Sequence, residues 1–235
     1  LTTTVLVVGN SGGFLDNFVV DYQNAFGLPD QDRSASVNDR YRIEASQGGL
    51  PVWSVERSSA EWLDLPIHLT WQLREPGENR FGVAVRGGIE LPLGDQNDGY
   101  GNGQVDASIG ALLDYRSRGI GWSGHLQHTF AGTPDQARRR GFHFEDVTSL
   151  GLGVELPLTE SLHVLVQVEL ETSTLRRLGP KVASREQLLL WVGSRYQATP
   201  EWSMEMGLGE DLRGLASPDF TVWFGVTWKP GVGGS

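Results

Sequence analysis

Residues 64–74 read DLPIHLTWQLR. Leu65, Ile67, Leu69, Trp71 and Leu73 fall on one side of an extended chain, and Asp64, Pro66, His68, Thr70, Gln72 and Arg74 on the other. Successive side chains of a strand point to opposite faces, so this stretch makes a strand with one apolar and one polar face. The same alternation returns over 80–91, 105–115, 120–130, 148–156, 162–170, 188–196, 202–208 and 220–228. With residues 1–9 the chain holds about ten such strands. Globular strands average about 5–6 residues, whereas membrane-crossing strands need about 9–11, and these are mostly of the longer kind.

The connections sort by length as well. "EPGEN", "SR", "LTE" and "TPE" are tight, while 10–62, 93–104, 131–146, 172–186 and 210–219 are long. Tight turns at one end and long loops at the other describe an antiparallel transmembrane β-barrel of the outer-membrane kind, with tight turns and both termini in the periplasm. Seven aromatics carry the outward parity close to a tight turn or to the end of the last strand: Trp71, Phe81, Tyr115, Trp122, Tyr196, Trp202 and Trp228. That placement is expected of an aromatic belt at a membrane–water interface.

Composition narrows the function classes. The 235 residues carry a formal net charge of −10 and no cysteine. An acidic chain lacks the basic footprint of a nucleic-acid binder. Without cysteine there is neither a disulfide framework nor a thiolate metal site. No linker or charge block divides the chain, so 1–235 reads as a single domain. No run of about 18 apolar residues offers a transmembrane helix. Leu1 opens directly on a strand-like run, which reads as a mature chain or a piece of a longer one.

One segment breaks the two-residue period. In GGFLDNFVVDYQNAFGLP, Phe14, Phe18, Tyr22 and Phe26 recur every four residues, beside Leu15 and Val19. That is the apolar stripe of a helix over 14–26, stopped by Gly27 and Pro29. It lies in the long external excursion 10–62, which also has room for a short hairpin of 40–44 with 50–56. The polar side holds Asp16, Asn17, Asp21 and Asn24 and no basic residue, unlike most interfacial helices. The stripe is therefore expected to pack on protein, as a cap over the barrel mouth.

Four stretches, the helix segment among them, carry a resemblance. They are GGFLDNFVVDYQNAFGLPDQDR, LPLGDQNDGYGNGQVDASIGALL, GLGVELPLTESLHVLVQVE and MGLGEDLRGLASPDFTVWFGVTWKP. In this order the chain resembles a group of Gram-negative outer-membrane barrels known only as a domain of unknown function. The resemblance implies an outer-membrane location and a barrel. It also implies an N-terminal portion with a signal peptide and extra strands, for about 12 strands in all. It implies no activity.

Parity assigns the inward residues. His68, Arg86, Glu90, Asp106, Asp114, His125, Glu155, His163, Glu169, Glu171, Arg195 and Glu205 share the polar face. Both signs are mixed and no single-sign ring emerges as a selectivity filter. The plain reading is a structural polar network in the lumen. The turn in RYQATPEWSME, centred near Pro200, places Tyr196 opposite Met204 and Arg195 opposite Glu205, an inward ion pair. In the predicted outer loops, Arg138, Arg139, Arg140, Arg176, Arg177, Lys181 and Arg185 are candidates for lipid phosphates, including those of lipopolysaccharide.

Catalytic and metal patterns are weak. His128 has the lipid-facing parity that a membrane lipid-modifying enzyme would need, but no serine clearly shares its face and GxSxG is absent. There is no HExxH, and His125 and His128 point to opposite faces of one strand, so no metal is expected. GYGNG is a hairpin tip without the Lys-Ser/Thr of a phosphate loop. The sequence thus points to a non-enzymatic envelope anchor or scaffold with a narrow or occluded lumen, no cofactor, and membrane lipid or envelope proteins as partners. A passive channel for small polar solutes and a lipid-modifying enzyme are the alternatives.

Overall fold

Alternating residues alone do not fix how strands join; the turns do. At Arg118 and Gly119 the backbone takes φ of 52° and 79°. Two consecutive left-handed residues make the turn whose twist matches that of the flanking strands. It joins Ser117 directly to Ile120. The computed structural model describes residues 2–10, 16–27, 43–47, 50–55, 59–175, 186–213 and 220–229.

In chain order the elements are β1 (Thr2–Thr3), β2 (Val7–Asn10), α1 (Asp16–Phe26), β3 (Ile43–Gln47), β4 (Leu50–Val55), β5 (Ser59–Trp62), β6 (Leu65–Arg74) and β7 (Gly82–Leu91). There follow β8 (Asp106–Ser117), β9 (Ile120–Phe130), α2 (Asp135–Arg139), β10 (Val147–Pro157), β11 (Leu162–Glu171), β12 (Gln187–Gln197), β13 (Trp202–Arg213) and β14 (Phe220–Trp228). The main sheet has ten strands in the order β1-β6-β7-β8-β9-β10-β11-β12-β13-β14. Every neighbouring pair is antiparallel. Among the described residues no pairing joins β1 to β14.

Three expectations about boundaries are corrected. Residues 1–9 do not form one long strand. Val5, Leu6, Val7 and Val8 are consecutive apolar residues without alternation, and the chain jogs there between β1 and β2. The second half pairs with β5, which was read as loop, in a small sheet of its own. The loop expected to begin at 210 begins later, because β13 runs on to Arg213. In the excursion, β3 and β4 form a short hairpin near the expected position.

The helix also differs from expectation. It spans Asp16–Phe26, and Gly27 with φ 67° ends it as anticipated; Phe14 and Leu15 lie outside the described residues. The aromatic stripe is not its covered face. Phe18 is exposed, as is Phe26 at 69 %, while Gln23 is fully buried. The rings pack on each other instead: Phe18 and Tyr22 lie 6.4 Å apart, Tyr22 and Phe26 4.8 Å. A four-residue spacing brings rings together along the helix surface whatever that surface faces. The spacing therefore identified the helix but not its partner.

Packing reverses the usual arrangement. Among the described residues only Ala84 and Tyr100 are buried apolar side chains, while Leu152 is 62 % exposed and Phe224 70 %. Leu69, Ile109, Leu152, Met206, Val222 and Phe224 share one face of the sheet, and that face is bare. The opposite face lines a hollow of about 930 Å³. The sheet is thus apolar on its convex side and polar on its concave side.

Both ends are tied. At the tight-turn end, Asn79 N–H donates to Arg116 O at 2.7 Å and Arg118 N–H to Glu78 Oε1 at 2.7 Å, joining the β6–β7 turn to the β8–β9 hairpin. At the other end buried Asp64 accepts from Gly94 N–H at 2.8 Å and Asn102 N–H at 3.2 Å. Asp106 accepts from Asn102 Nδ2 and from Gly132 N–H, both at 2.7 Å. Tyr100 donates to Ser59 O at 2.9 Å. Removing Asp64 leaves two backbone donors without their acceptor, so Asp64→Ala is expected to cost about 2–4 kcal/mol and Asp64→Asn about half of that. Equilibrium unfolding, with faster amide exchange at Gly94 and Asn102 in the alanine variant, checks this.

Candidate functional site

Registers place the polar residues into rows across the concave face. Asp114, Ser123, Gly153, Gln167, Trp191 and Gly209 oppose one another in succession from β8 to β13. One step toward the tight turns, Gly121, Glu155, Leu165, Gly193, Gly207 and Trp223 form the next row, from β9 to β14. Where these rows carry glycine, a neighbour takes the space: an added Cβ at Gly207 would meet Trp223, and one at Gly209 would meet Trp191.

Of the expected polar residues, four come together. Arg195 opposes Glu205 and Tyr196 opposes Met204, the register read from the turn. Arg195 Nε donates to Glu205 Oε1. Its Nη1 donates to Glu155 Oε2 at 3.2 Å, two strands away. The other oxygen of Glu155 lies 2.7 Å from His163 Nδ1. Glu155, His163, Arg195 and Glu205 therefore form one cluster low in the hollow, each partly shielded from solvent.

A second pair depends on a glycine. His125 on β9 and Glu169 on β11 are separated by β10, yet His125 Nε2 reaches to 3.5 Å of Glu169 Oε1. Between them stands Gly151, whose added Cβ would lie 2.2 Å from His125 Cε1. The imidazole occupies the missing side chain's place. Gly88 does the same between His68 and Ser108.

The remaining expected residues stand apart from the cluster. Arg86 donates to Thr70 Oγ1 at 3.2 Å. Glu90 opposes Asp106, which is taken up by Asn102 and Gly132. Asp114 opposes Ser123, and Glu171 opposes Gln187. Among the aromatics, Tyr115 opposes Trp122 and stacks 4.6 Å from Phe81; Trp202 stacks 5.9 Å from Trp228. Trp71 sits further from the turns, opposite Val85.

The basic loop residues divide. Arg138 donates to Gln104 Oε1 at 3.1 Å and Thr133 O at 3.0 Å, so it braces two loops. Arg139 and Arg140 are exposed at the end of α2. Arg176, Arg177, Lys181 and Arg185 lie outside the described residues.

His128 has a partner that was not anticipated. Thr148, its opposite on β10, brings Oγ1 to 2.9 Å of His128 Nδ1, and Asp146 Oδ2 lies 3.7 Å from Nε2. The order resembles a nucleophile, base and acid. The Asp146 distance is too long for the hydrogen bond that orients a catalytic imidazole, and Phe130 packs edge-on 4.8 Å away. Thr148 N–H itself is bonded to Thr172 Oγ1, so it cannot serve an oxyanion. Nothing in this geometry performs acyl transfer. Among the described residues there is also no grouping of three or more His, Asp or Glu able to hold a metal.

Sequence reasoning missed Trp191 and Trp223, the two concave tryptophans. The signal is present in the sequence: Trp191 has the inward parity of Arg195.

The family described as Protein of unknown function (DUF3187) matches residues 1–229. The chain belongs to that family. No curated protein matches it. Membership covers nearly the whole sheet, and with it both the charged cluster and the two concave tryptophans.

Arg195 is partly exposed, so its pairing with Glu205 should lie between that of a surface pair and that of a buried one. A double-mutant cycle of Arg195→Gln and Glu205→Gln in chemical unfolding is expected to give a coupling of about 1–2 kcal/mol. Glu155→Gln should lower the measured coupling by loosening the guanidinium.

Proposed function

We propose that this protein is an integral outer-membrane β-barrel without enzymatic activity, an envelope anchor or scaffold whose lumen is obstructed by its own charged residues. The observation that carries this is the bare convex face. Large exposed apolar surfaces mark contact with membrane or partner, and here the apolar face extends along the sheet while the described residues hold almost no apolar core. In lipid that face is satisfied. The strands of nine to twelve residues have the length to cross.

In this reading β1 and β14 are the edges at which the ring closes, because an open edge in hydrocarbon leaves backbone groups unpaired. The tight turns and both termini are periplasmic, and the aromatics near those turns mark the interface. Arg139 and Arg140 lie at the outer end, where phosphates of lipid and lipopolysaccharide are within reach. The cluster of Glu155, His163, Arg195 and Glu205 narrows the passage at the periplasmic end.

A second reading, a passive channel for small polar solutes, is favoured by one observation: the concave face encloses a hollow of about 930 Å³ with charged residues of both signs in its lining. Conductance in planar bilayers separates the two. The anchor shows no steps, the channel does.

The membrane reading has its own test. Leu152 stands mid-strand on the convex face. Leu152→Arg is expected to cost about 2–4 kcal/mol of membrane folding, the penalty of an arginine near the bilayer midplane. Ser123→Arg, on the concave face nearby, should cost much less. Folding into vesicles, followed by the heat-dependent shift in gel mobility, measures both. Equal tolerance of the two would rule out lipid on the convex side.

A further inference from the structure

We infer that the hollow holds a binding site for organic ammonium cations, built from two tryptophans and the carboxylates beside them. The inference does not need the membrane reading, since the same residues line the hollow in lipid or in detergent.

Trp191 opposes Gly209 and Trp223 opposes Gly207. An added Cβ at Gly209 would stand 2.4 Å from Trp191 Cζ3, and one at Gly207 2.5 Å from Trp223 Nε1. Both indoles thus lean onto the bare backbone of β13, one from each side. Each is only half-buried, and both line the hollow. Tryptophans that close over glycine in this way expose ring surface to whatever enters.

Each indole also has a carboxylate at the diagonal position of the ladder. Trp191 opposes Gln167 while Glu169 opposes Leu189, so Glu169 is its diagonal neighbour on β11. Trp223 opposes Gly207 while Glu205 opposes Gly225, so Glu205 is its diagonal neighbour on β13. Diagonal pairs lie within about 7–8 Å, in reach of one ligand. The wider lining repeats the sign: it holds the acids Glu78, Asp114, Glu155, Glu169 and Glu205 against Arg116 and Arg195. Arg195 is committed to Glu155 and Glu205, and they to it, so the excess of acid rests on Glu78, Asp114 and Glu169 against Arg116. A walled cavity with an excess of one sign concentrates the opposite charge.

The chemistry selects among cations. Indole faces attract ammonium groups, most strongly those that shed water easily, which is how quaternary ammonium ligands are recognised elsewhere. Small hydrated metal ions want several converging oxygens, and no such grouping exists among the described residues. Anions find Arg195 already paired. A volume near 930 Å³ falls within the range of small-molecule sites.

Titration calorimetry on the folded chain in detergent tests the site with choline, its uncharged carbon analogue in which carbon replaces nitrogen, and a neutral disaccharide. Choline is expected to bind saturably, at least about tenfold more tightly than the analogue, the contribution of a cation over an indole. Glu169→Gln should weaken choline about fivefold or more and leave the analogue unchanged. Trp223→Leu should reduce both. Equal affinity for choline and its analogue, preference for the disaccharide, or no heat at all with correctly folded wild-type protein would overturn the proposal. The first comparison needs no variant, so a substitution that impairs folding does not blur the result. Failure of vesicle insertion with choline binding intact would sink the membrane reading alone.

Discussion

The antiparallel strand must send alternate side chains to opposite faces, and this chain gives those faces opposite chemistry along nearly every long strand. All else follows from that separation. With the apolar residues facing outward, the described residues hold almost none of the packed core that ordinarily supplies stability. Its cohesion comes from continuous backbone pairing, from cross-strand contacts on the convex side, and from polar contacts at the two ends and inside the hollow. Asp64, Asp106 and Tyr100 illustrate the last point: they bind loops back onto strand ends, a role that buried leucines would play in a globular domain.

Much of this arrangement was legible. Alternation around Leu69, Val85, Ile109 and Leu152 identified the strands and their faces, because a two-residue period is imposed by geometry and survives any tertiary context. The turn at Pro200 fixed the Arg195–Glu205 pairing for the same reason: once a tight hairpin is placed, its register is arithmetic. The helix at Asp16–Phe26 was legible as a helix but not as a neighbour. Periodicity reports which residues share a face, and Phe26 shows that it does not report what the face meets.

What escaped the reading involves residues that act across strands not adjacent in sequence. Nothing local links Glu155 to Arg195 or His125 to Glu169, since each pair spans an intervening strand. Trp191 and Trp223 are a different case. The Pro200 register that pairs Arg195 with Glu205 also sets Gly209 opposite Trp191, so that contact is legible from the turn, whereas Trp223 and Gly207 meet across the longer 214–219 connection, which sets no register by itself. Thr148 beside His128 belongs to the same class: the partner lies on the next strand, at a position that only the long loop between them decides. Side chains that depend on one tight turn were within reach of the sequence; those that depend on a long connection, or on two registers at once, were not.

The gap at Gly151 has a consequence for the order in which the sheet can be assembled. His125 enters a space that exists only while β9, β10 and β11 hold one alignment. Sliding β10 by a single residue turns its glycines outward and thrusts leucines into the hollow. Sliding it by two keeps the faces correct but presents Ser149 or Gly153 to the imidazole, and Ser149 would block it. Gly88 between His68 and Ser108 imposes the same condition further along the sheet. Such sites work as keys and keyways: they add little attraction, yet they penalise near-miss alignments that the uniform backbone ladder alone would accept. A sheet with so few buried apolar side chains among its described residues has its alignment chosen in part by the residues it leaves out.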